Sequence, residues 1–381
     1  MSTIRRILVD GRTPVNYTMF APVHAAMRGD PRIRFAFIAS EEPARGCEIF
    51  AGAGRGARVL GRVGAALQPF DAYIASDFMW TRHLKRPCRI QMFHGVGGKY
   101  GFDAPTESMR VWDRLLFVNR RRLRNFVKAG AIDADSPAIR LVGMPKVDCL
   151  VDGSINRDAV LREHGLDPAR PTVLYAPTWS PASSLNRLGI DLIEAIRRLP
   201  VNLVVKLHDR SRNPRHRYSG GVDWVAAITP HLVPARVILA PGSDICPFLS
   251  AADVMVTDHS SAGFEYLLLN RPVVRIHVPE LIELANIHRD YVELLSEVSE
   301  STHEIEDTLA AVERALADPS TRSATRLAVA ADLFHEPGTA TRRAVEAIYE
   351  AVGLEPVRAP IPIPHASAQP SEIVRPCLPS A

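Results

Sequence analysis

No apolar run in the sequence approaches the roughly 20 residues that span a bilayer, and the start, Met1 to Arg6, lacks the apolar core of a secretory signal. A cytoplasmic protein is expected, one that can still sit on the inner membrane surface as a peripheral protein. Cysteine is scarce. Cys47, Cys88, Cys149, Cys246 and Cys377 are odd in number, scattered, and form no C-x-x-C pair. This argues for free thiols in a reducing compartment and against a disulfide framework or a zinc site. Neither sign of charge dominates: 46 basic and 42 acidic residues leave a formal net charge of +4. No nucleic-acid partner is expected, and the placement of charge matters more than its sum. The one D-x-D, Asp133 to Asp135, falls in a predicted loop and is not read as a metal motif; no metal and no cofactor are expected. No repeat of solenoid length is present.

What is present is an ordinary globular composition, 46% hydrophobic and 23% charged, over 381 residues, long enough for two cores. Short apolar runs alternate with helical patterns. In the first half the runs are Arg6–Asp10, Arg34–Ala39, Tyr73–Ala75, Arg89–Phe93 and Arg114–Val118, with a helix at Phe20–Met27. In the second they are Thr172–Trp179, Asn202–His208, Val237–Leu239, Val254–Val256 and a run from Pro272. Such alternation predicts α/β architecture with parallel sheets. A boundary near Leu150–Asn156 divides the chain into domains 1–150 and 151–353; from Gly353 it is Pro-rich, and 354–381 is expected to be a disordered tail. Ser301-x-x-Glu304 suggests a capping box ahead of a helix at Ile305–Leu316, and Ala340–Val352 a terminal helix.

The stretch V-M-V-T-D-H-S-S-A-G-F-E-Y-L-L-L, Val254 to Leu269, reads as strand, tight turn and helix. Ligands of open α/β sheets collect outside the carboxyl ends of strands, where a helix N-terminus favours phosphate. Thr257 ends the strand, Asp258 can order the turn, Ser260 and Ser261 add hydroxyl donors, and Glu265 can reach a ribose hydroxyl. The alternative is a helix cap and nothing more. Upstream, Ser243 or Asp244 can cap the helix that leads into this strand.

Other strand ends carry chemistry too. F-H-G-V-G-G-K-Y-G, Phe93 to Gly101, places His94 at a sheet edge, with glycines at 95, 97 and 98 for close backbone approach and Lys99 as a mobile cation. Histidine suits a general base because its pKa lies near neutrality; the alternative is a ring bonded to a neighbouring carbonyl. Thr178 and Trp179 follow a strand broken at Ala176–Pro177, and Lys206 and His208 share one face at the end of another. The basic loop Arg210–Gly221 reads as a clamp on an acidic acceptor or as a linker. Leu123, Phe126 and Val127 recur at helical spacing, which leaves Arg120, Arg121, Arg122, Arg124 and Lys128 to solvent. That face can be merely solvated, or can attract a polyphosphate or an acidic membrane surface.

Five motifs occur in order: H-G-x-x-x-K at His94–Lys99, G-M-P-K-V-D at Gly143–Asp148, Y-A-P-T-W at Tyr175–Trp179, K-L-H at Lys206–His208, and D-I-x-x-x-L-x-x-A-D-V-x-V-T-D-x-S-S at Asp244–Ser261. The series resembles the CDP-glycerol glycerophosphotransferase family of teichoic-acid primases and polymerases, over about His94 to Pro272. The resemblance implies a GT-B fold, two Rossmann-like domains with parallel sheets facing a cleft and the donor nucleotide on the second. It implies His94 as catalytic base, Lys206, His208, Asp258, Ser260 and Ser261 around the donor's diphosphate, and Glu265 at the ribose; beside these, Ser243, Asp244 and Thr257 are expected on the donor side, and Gly95, Lys99, Thr178 and Trp179 toward phosphate or acceptor. The implied reaction moves glycerol phosphate from CDP-glycerol to a hydroxyl of an anionic or lipid-linked glycopolymer, releasing CMP. The sequence departs from the family pattern at Ser180, Asp209 and His259. CDP-ribitol or a nucleotide sugar is the alternative donor, as in a glycosyltransferase or a UDP-N-acetylglucosamine 2-epimerase-like enzyme. A non-catalytic nucleotide-binding protein is the third reading.

Overall fold

The computed structural model describes residues 4–79, 81–99 and 107–356. Tyr100 and Gly101 of the glycine-rich loop, Cys377, and the expected disordered tail from residue 357 onward lie outside the described residues. Two sheets, each wholly parallel, organise the molecule. The first runs β3-β2-β1-β4-β5-β6-β7, from β1 (Arg5–Asp10), β2 (Ile33–Ile38), β3 (Val59–Leu60), β4 (Ala72–Ala75), β5 (Cys88–Met92), β6 (Arg114–Phe117) and β7 (Ile139–Leu141). The second runs β10-β9-β8-β11-β12-β13, from β8 (Thr172–Tyr175), β9 (Asn202–Val205), β10 (Val237–Leu239), β11 (Val254–Thr257), β12 (Val273–Ile276) and β13 (Ser299–Thr302).

Helices cover both faces of such sheets, so central strands are apolar runs rather than alternating patterns. Strands β4, β8, β9, β11 and β12 are buried along their whole length. Strand order reverses between β1 and β4 in one sheet and between β8 and β11 in the other. Crevices open at the carboxyl ends of strands at such reversals, and the candidate residues gather there.

Two local expectations are corrected. Ser301 lies in β13, a strand hidden by its polar sequence S-E-S-T, and takes a hydrogen bond from Arg275; Glu304 at the following helix start makes no side-chain cap, so the capping box does not form. After β11 the α-helix is only Ala262–Tyr266, continued as a 3-10 turn at Leu267–Leu269. Its short dipole contributes less to anion binding than a long helix would. The expected terminal helix forms at Ala340–Ala351 and packs against the first sheet's helix Pro14–Met27. Tyr349 donates to Asp30 at 2.8 Å, and Glu350 pairs with Arg114 and Arg140.

The G-M-P-K-V-D motif anchors this return. Asp148, 4% exposed, accepts the backbone N–H groups of Gly338, Ala340 and Thr341 at 2.7, 3.1 and 2.7 Å. Gly143 has φ 89°, and a Cβ there would lie 2.6 Å from the His335 carbonyl oxygen. Only glycine fits.

Candidate active site

His94 follows β5 with its side chain 41% exposed. Its Nδ1 lies 2.7 Å from the Ser76 carbonyl oxygen and 3.2 Å from Asp77 Oδ1, both just beyond β4. A carbonyl only accepts, so Nδ1 carries the proton and Nε2 keeps the lone pair. Nε2 has no partner among the described residues. Asp77 is held in turn by Asn16 Nδ2 at 3.2 Å. Asn16 Oδ1 accepts from the N–H groups of Arg12 and Thr13 at 3.0 and 2.9 Å, which fixes which end of the amide faces the carboxylate. His94 is visible in the sequence; Asp77 and Asn16 are not, although a carboxylate just past the end of the neighbouring strand is a signal for the first.

His208, beyond β9, has the opposite tautomer. Its Nδ1 accepts the backbone N–H of Arg210 at 3.1 Å, so Nε2 carries the hydrogen and is a donor. Burial pushes its pKa down to about 3, reinforced by Arg210, Lys99, Lys206 and Lys146, so the ring is neutral. One histidine thus presents a base and the other a donor.

Lys99 Nζ donates to Thr178 Oγ1 at 3.2 Å, and His288 N–H donates to the Lys99 carbonyl at 2.9 Å, so the glycine-rich loop of the first domain touches the second. Burial lowers the Lys99 pKa to about 8, opposed by Asp258. Lys206 is also lowered to about 8, by burial first and then by Arg212, while Asp209 and Asp244 oppose. Its Nζ donates to the carbonyls of Pro241, at 3.1 Å, and Gly242. Lys146, from the G-M-P-K-V-D motif, meets Glu265 at 2.7 Å with both side chains under a tenth exposed; burial alone would lower its pKa, but the Glu265 carboxylate outweighs that and raises it. The arrangement is a concentration of cations with few free carboxylates, suited to a polyphosphate.

Several candidates are committed to the scaffold. Thr257 Oγ1 donates to the Ala176 carbonyl at 2.7 Å. Asp258, fully buried, accepts from Thr178 N (2.9 Å), Ser184 N (3.0 Å) and Ser184 Oγ (2.9 Å), tying β11 to the loop after β8. Burial pushes its carboxyl above the usual range against those bonds. These two shape the turn rather than offering groups to a ligand. Ser243 donates to Asp209 at 2.8 Å, and Asp244 accepts the Cys246 N–H at 2.9 Å. Ser260 Oγ accepts only a long 3.4 Å bond from Ala262 N, and Ser261 is exposed. Trp179 lies 6.2 Å from the His208 ring and 5.9 Å from Tyr218.

The departures from the family pattern have visible surroundings. Ser180 Oγ accepts from Ala182 N at 3.1 Å. His259 is wholly buried against His277, with both ring nitrogens unpartnered among the described residues, and burial lowers its pKa to about 3. Gly95 offers its carbonyl to Arg122 Nη1 at 3.1 Å, and the Gly97 backbone is packed by the Arg122 stem.

That last contact corrects the basic helix. Arg122 is 7% exposed, its guanidinium 4.1 Å from the Phe93 ring centroid, and so does not face solvent. Arg121 and Arg124 both pair with Asp332, at 3.1 and 3.3 Å. Arg120 alone of the four remains exposed without an ion pair among the described residues. Also among the described residues, no group of three or more His, Cys, Asp or Glu is arranged to hold a metal ion.

The profile of the CDP-Glycerol:Poly(glycerophosphate) glycerophosphotransferase family matches residues 71–350. The chain belongs to this family. It is 26% identical over 185 residues to the teichoic acid poly(glycerol phosphate) polymerase of Staphylococcus epidermidis, a match covering 46% of this chain and 24% of that protein. The chain thus spans about a quarter of that curated relative. Among solved structures, the wall teichoic acid polymerase TagF superposes with a TM-score of 0.69 at 16% identity, covering 92% of this chain and 89% of that one. A putative UDP-N-acetylglucosamine 2-epimerase from Listeria monocytogenes gives 0.59 at 14%, covering 92% and 96%. These likenesses establish the GT-B fold.

Proposed function

We propose that the chain transfers glycerol phosphate from CDP-glycerol to a hydroxyl of a teichoic-acid-like acceptor and releases CMP. The observation that carries this reading is the tautomer of His94, protonated at Nδ1 against Ser76 and Asp77 and unprotonated at Nε2. His94 Nε2 takes the proton of the acceptor hydroxyl as its oxygen attacks the phosphorus bearing glycerol. The new O–P bond forms as the bond to the CMP oxygen breaks, and the imidazolium is stabilised by Asp77. Lys99, Lys206 and the Nε2–H of His208 neutralise charge on the phosphates, an electrostatic contribution fixed before reaction begins. Ser260 and Ser261 donate to phosphate oxygens, and Glu265, already holding Lys146, turns its second oxygen to the ribose.

Family membership and the cation cluster support this reading, as does the TagF variant solved after a soak with CDPG, similar to this chain with a TM-score of 0.68. The acceptor is an anionic, lipid-linked glycopolymer met at the inner membrane surface. Among the described residues no helix is long and apolar enough to cross a membrane; the exposed Arg120 and Lys128 support peripheral contact with an anionic membrane surface.

The test is thermal stabilisation of the purified protein by CDP-glycerol, CDP-ribitol, CMP and a panel of UDP- and GDP-sugars. A ligand at a hundred times its Kd stabilises by roughly 2.7 kcal/mol. Stabilisation by cytidine ligands, weakened by Ser260→Ala/Ser261→Ala, is expected. A response to UDP or GDP ligands alone would reject CDP-glycerol as donor and leave a sugar-nucleotide enzyme.

A further inference from the structure

Arg210 takes no part in the proposed transfer. It projects from the turn after β9, its guanidinium carbon 4.3 Å from the Trp179 ring centroid and 5.4 Å from that of Tyr218. Its own backbone N–H makes the bond that sets the His208 tautomer. Yet none of its side-chain N–H groups meets an acceptor among the described residues, and no ion pair involves it. The nearest carboxylate in sequence, Asp209, takes Ser243 and responds to Lys206 and Arg212 instead. A guanidinium held over aromatic rings, with its donors unmet, is preorganised for a planar two-point contact with phosphate.

Its place in the fold narrows which phosphate. Trp179 follows β8, one of the two strands at which this sheet's order reverses, and Arg210 follows its neighbour β9. Trp179 follows directly on Thr178, the residue that Lys99 reaches from the domain carrying His94. Lys206, by contrast, is buried at the end of β9. Through Trp179, Arg210 is thus tied to the segment that meets the His94-bearing domain.

We infer that Arg210, held by Trp179 and Tyr218, binds the distal phosphate of a nucleoside diphosphate donor, the phosphate that carries the transferred group. This rests on the donor reading given above and adds to it the residue that separates diphosphate from monophosphate. Arg210→Ala should weaken CDP and CDP-glycerol at least tenfold while leaving CMP affinity unchanged, and the donor KM should rise. Arg210→Lys, which keeps the charge but loses the planar fork, should recover only part. Arg215→Ala, an exposed arginine of the same loop, serves as the control for loop charge and should match wild type.

The experiment measures Kd for CMP, CDP and CDP-glycerol on the full chain of each variant, with acceptor KM alongside. An unchanged ratio of CDP to CMP affinity in Arg210→Ala, an effect confined to acceptor KM, or the same loss in Arg215→Ala would overturn the inference. If wild type ignores cytidine ligands but binds UDP, the CDP-glycerol reading fails by itself, and the ratio of UDP to UMP affinity tests Arg210 in the same way. A wild-type protein that binds no nucleoside diphosphate overturns both.

Discussion

Lys206→Met should remove the affinity for the donor and make the stability of the ligand-free protein, relative to wild type, fall as pH rises from 7 to 10.5. Lys206 is 4% exposed and holds its charge chiefly against burial, with Arg212 and Lys146 adding to the penalty and Asp209 and Asp244 offsetting only part. Its pKa falls from 10.5 to about 8, which corresponds to about 3 kcal/mol for keeping it protonated in the folded state at pH 7. Methionine fills a similar volume without charge. It gives up the hydrogen bonds to the Pro241 and Gly242 carbonyls, worth about 1.5–3 kcal/mol each for a charged donor. At pH 7 this loss offsets the gain, so the variant should lie at or below wild type there and lose about a further 3 kcal/mol relative to it by pH 10.5. The sign with pH follows from linkage. The folded-state pKa lies below the unfolded one, so the penalty is complete below about pH 8 and disappears as pH rises toward 10.5. Denaturant unfolding of both proteins between pH 7 and 10.5 reads this directly. A difference between the two proteins that does not change with pH, or one that moves in the variant's favour as pH rises, would refute the reasoning.

Asp77→Asn should lower kcat on the order of 10²-fold with donor Kd unchanged, because the amide orients His94 without stabilising its imidazolium; steady-state kinetics with separate binding titrations check this. Asp148→Ala should destabilise by about 2–4 kcal/mol in chemical denaturation, since three backbone N–H groups at the start of the terminal helix lose their acceptor. Binding of CDP should be nearly flat at low pH and weaken as pH rises through about 8, where Lys99 and Lys206 lose their protons. Each proton lost gives a limiting slope of tenfold per pH unit; calorimetric titration from pH 6 to 9.5 measures it.

The sequence made the apolar strands legible because a parallel sheet buried on both faces writes itself as apolar runs. It concealed β13, whose residues S-E-S-T look like a turn and pair as an edge strand with β12. His94 was readable from its glycine-rich loop. Asp77 was not, because its role depends on β4 and β5 lying side by side. Thr257 and Asp258 stood out as polar groups after a strand, yet their partners lie 74 to 81 residues away, and those partners decide that they build the turn. Helical spacing put Arg122 on the solvent side. The loop Gly95–Gly97, folding back over the helix, gives its stem a bed on Phe93 and Phe126.

The central claim is that His94 Nε2 is the base in transfer from CDP-glycerol. The direct measurement is CMP release from CDP-glycerol in the presence of a glycerol-phosphate-primed acceptor, by wild type and His94→Ala, with CDP-glycerol Kd measured on both. The account predicts turnover by wild type, a loss on the order of 10²- to 10⁴-fold in the variant, and equal donor affinity. Equal CMP release by the two proteins, or none by wild type, would contradict it.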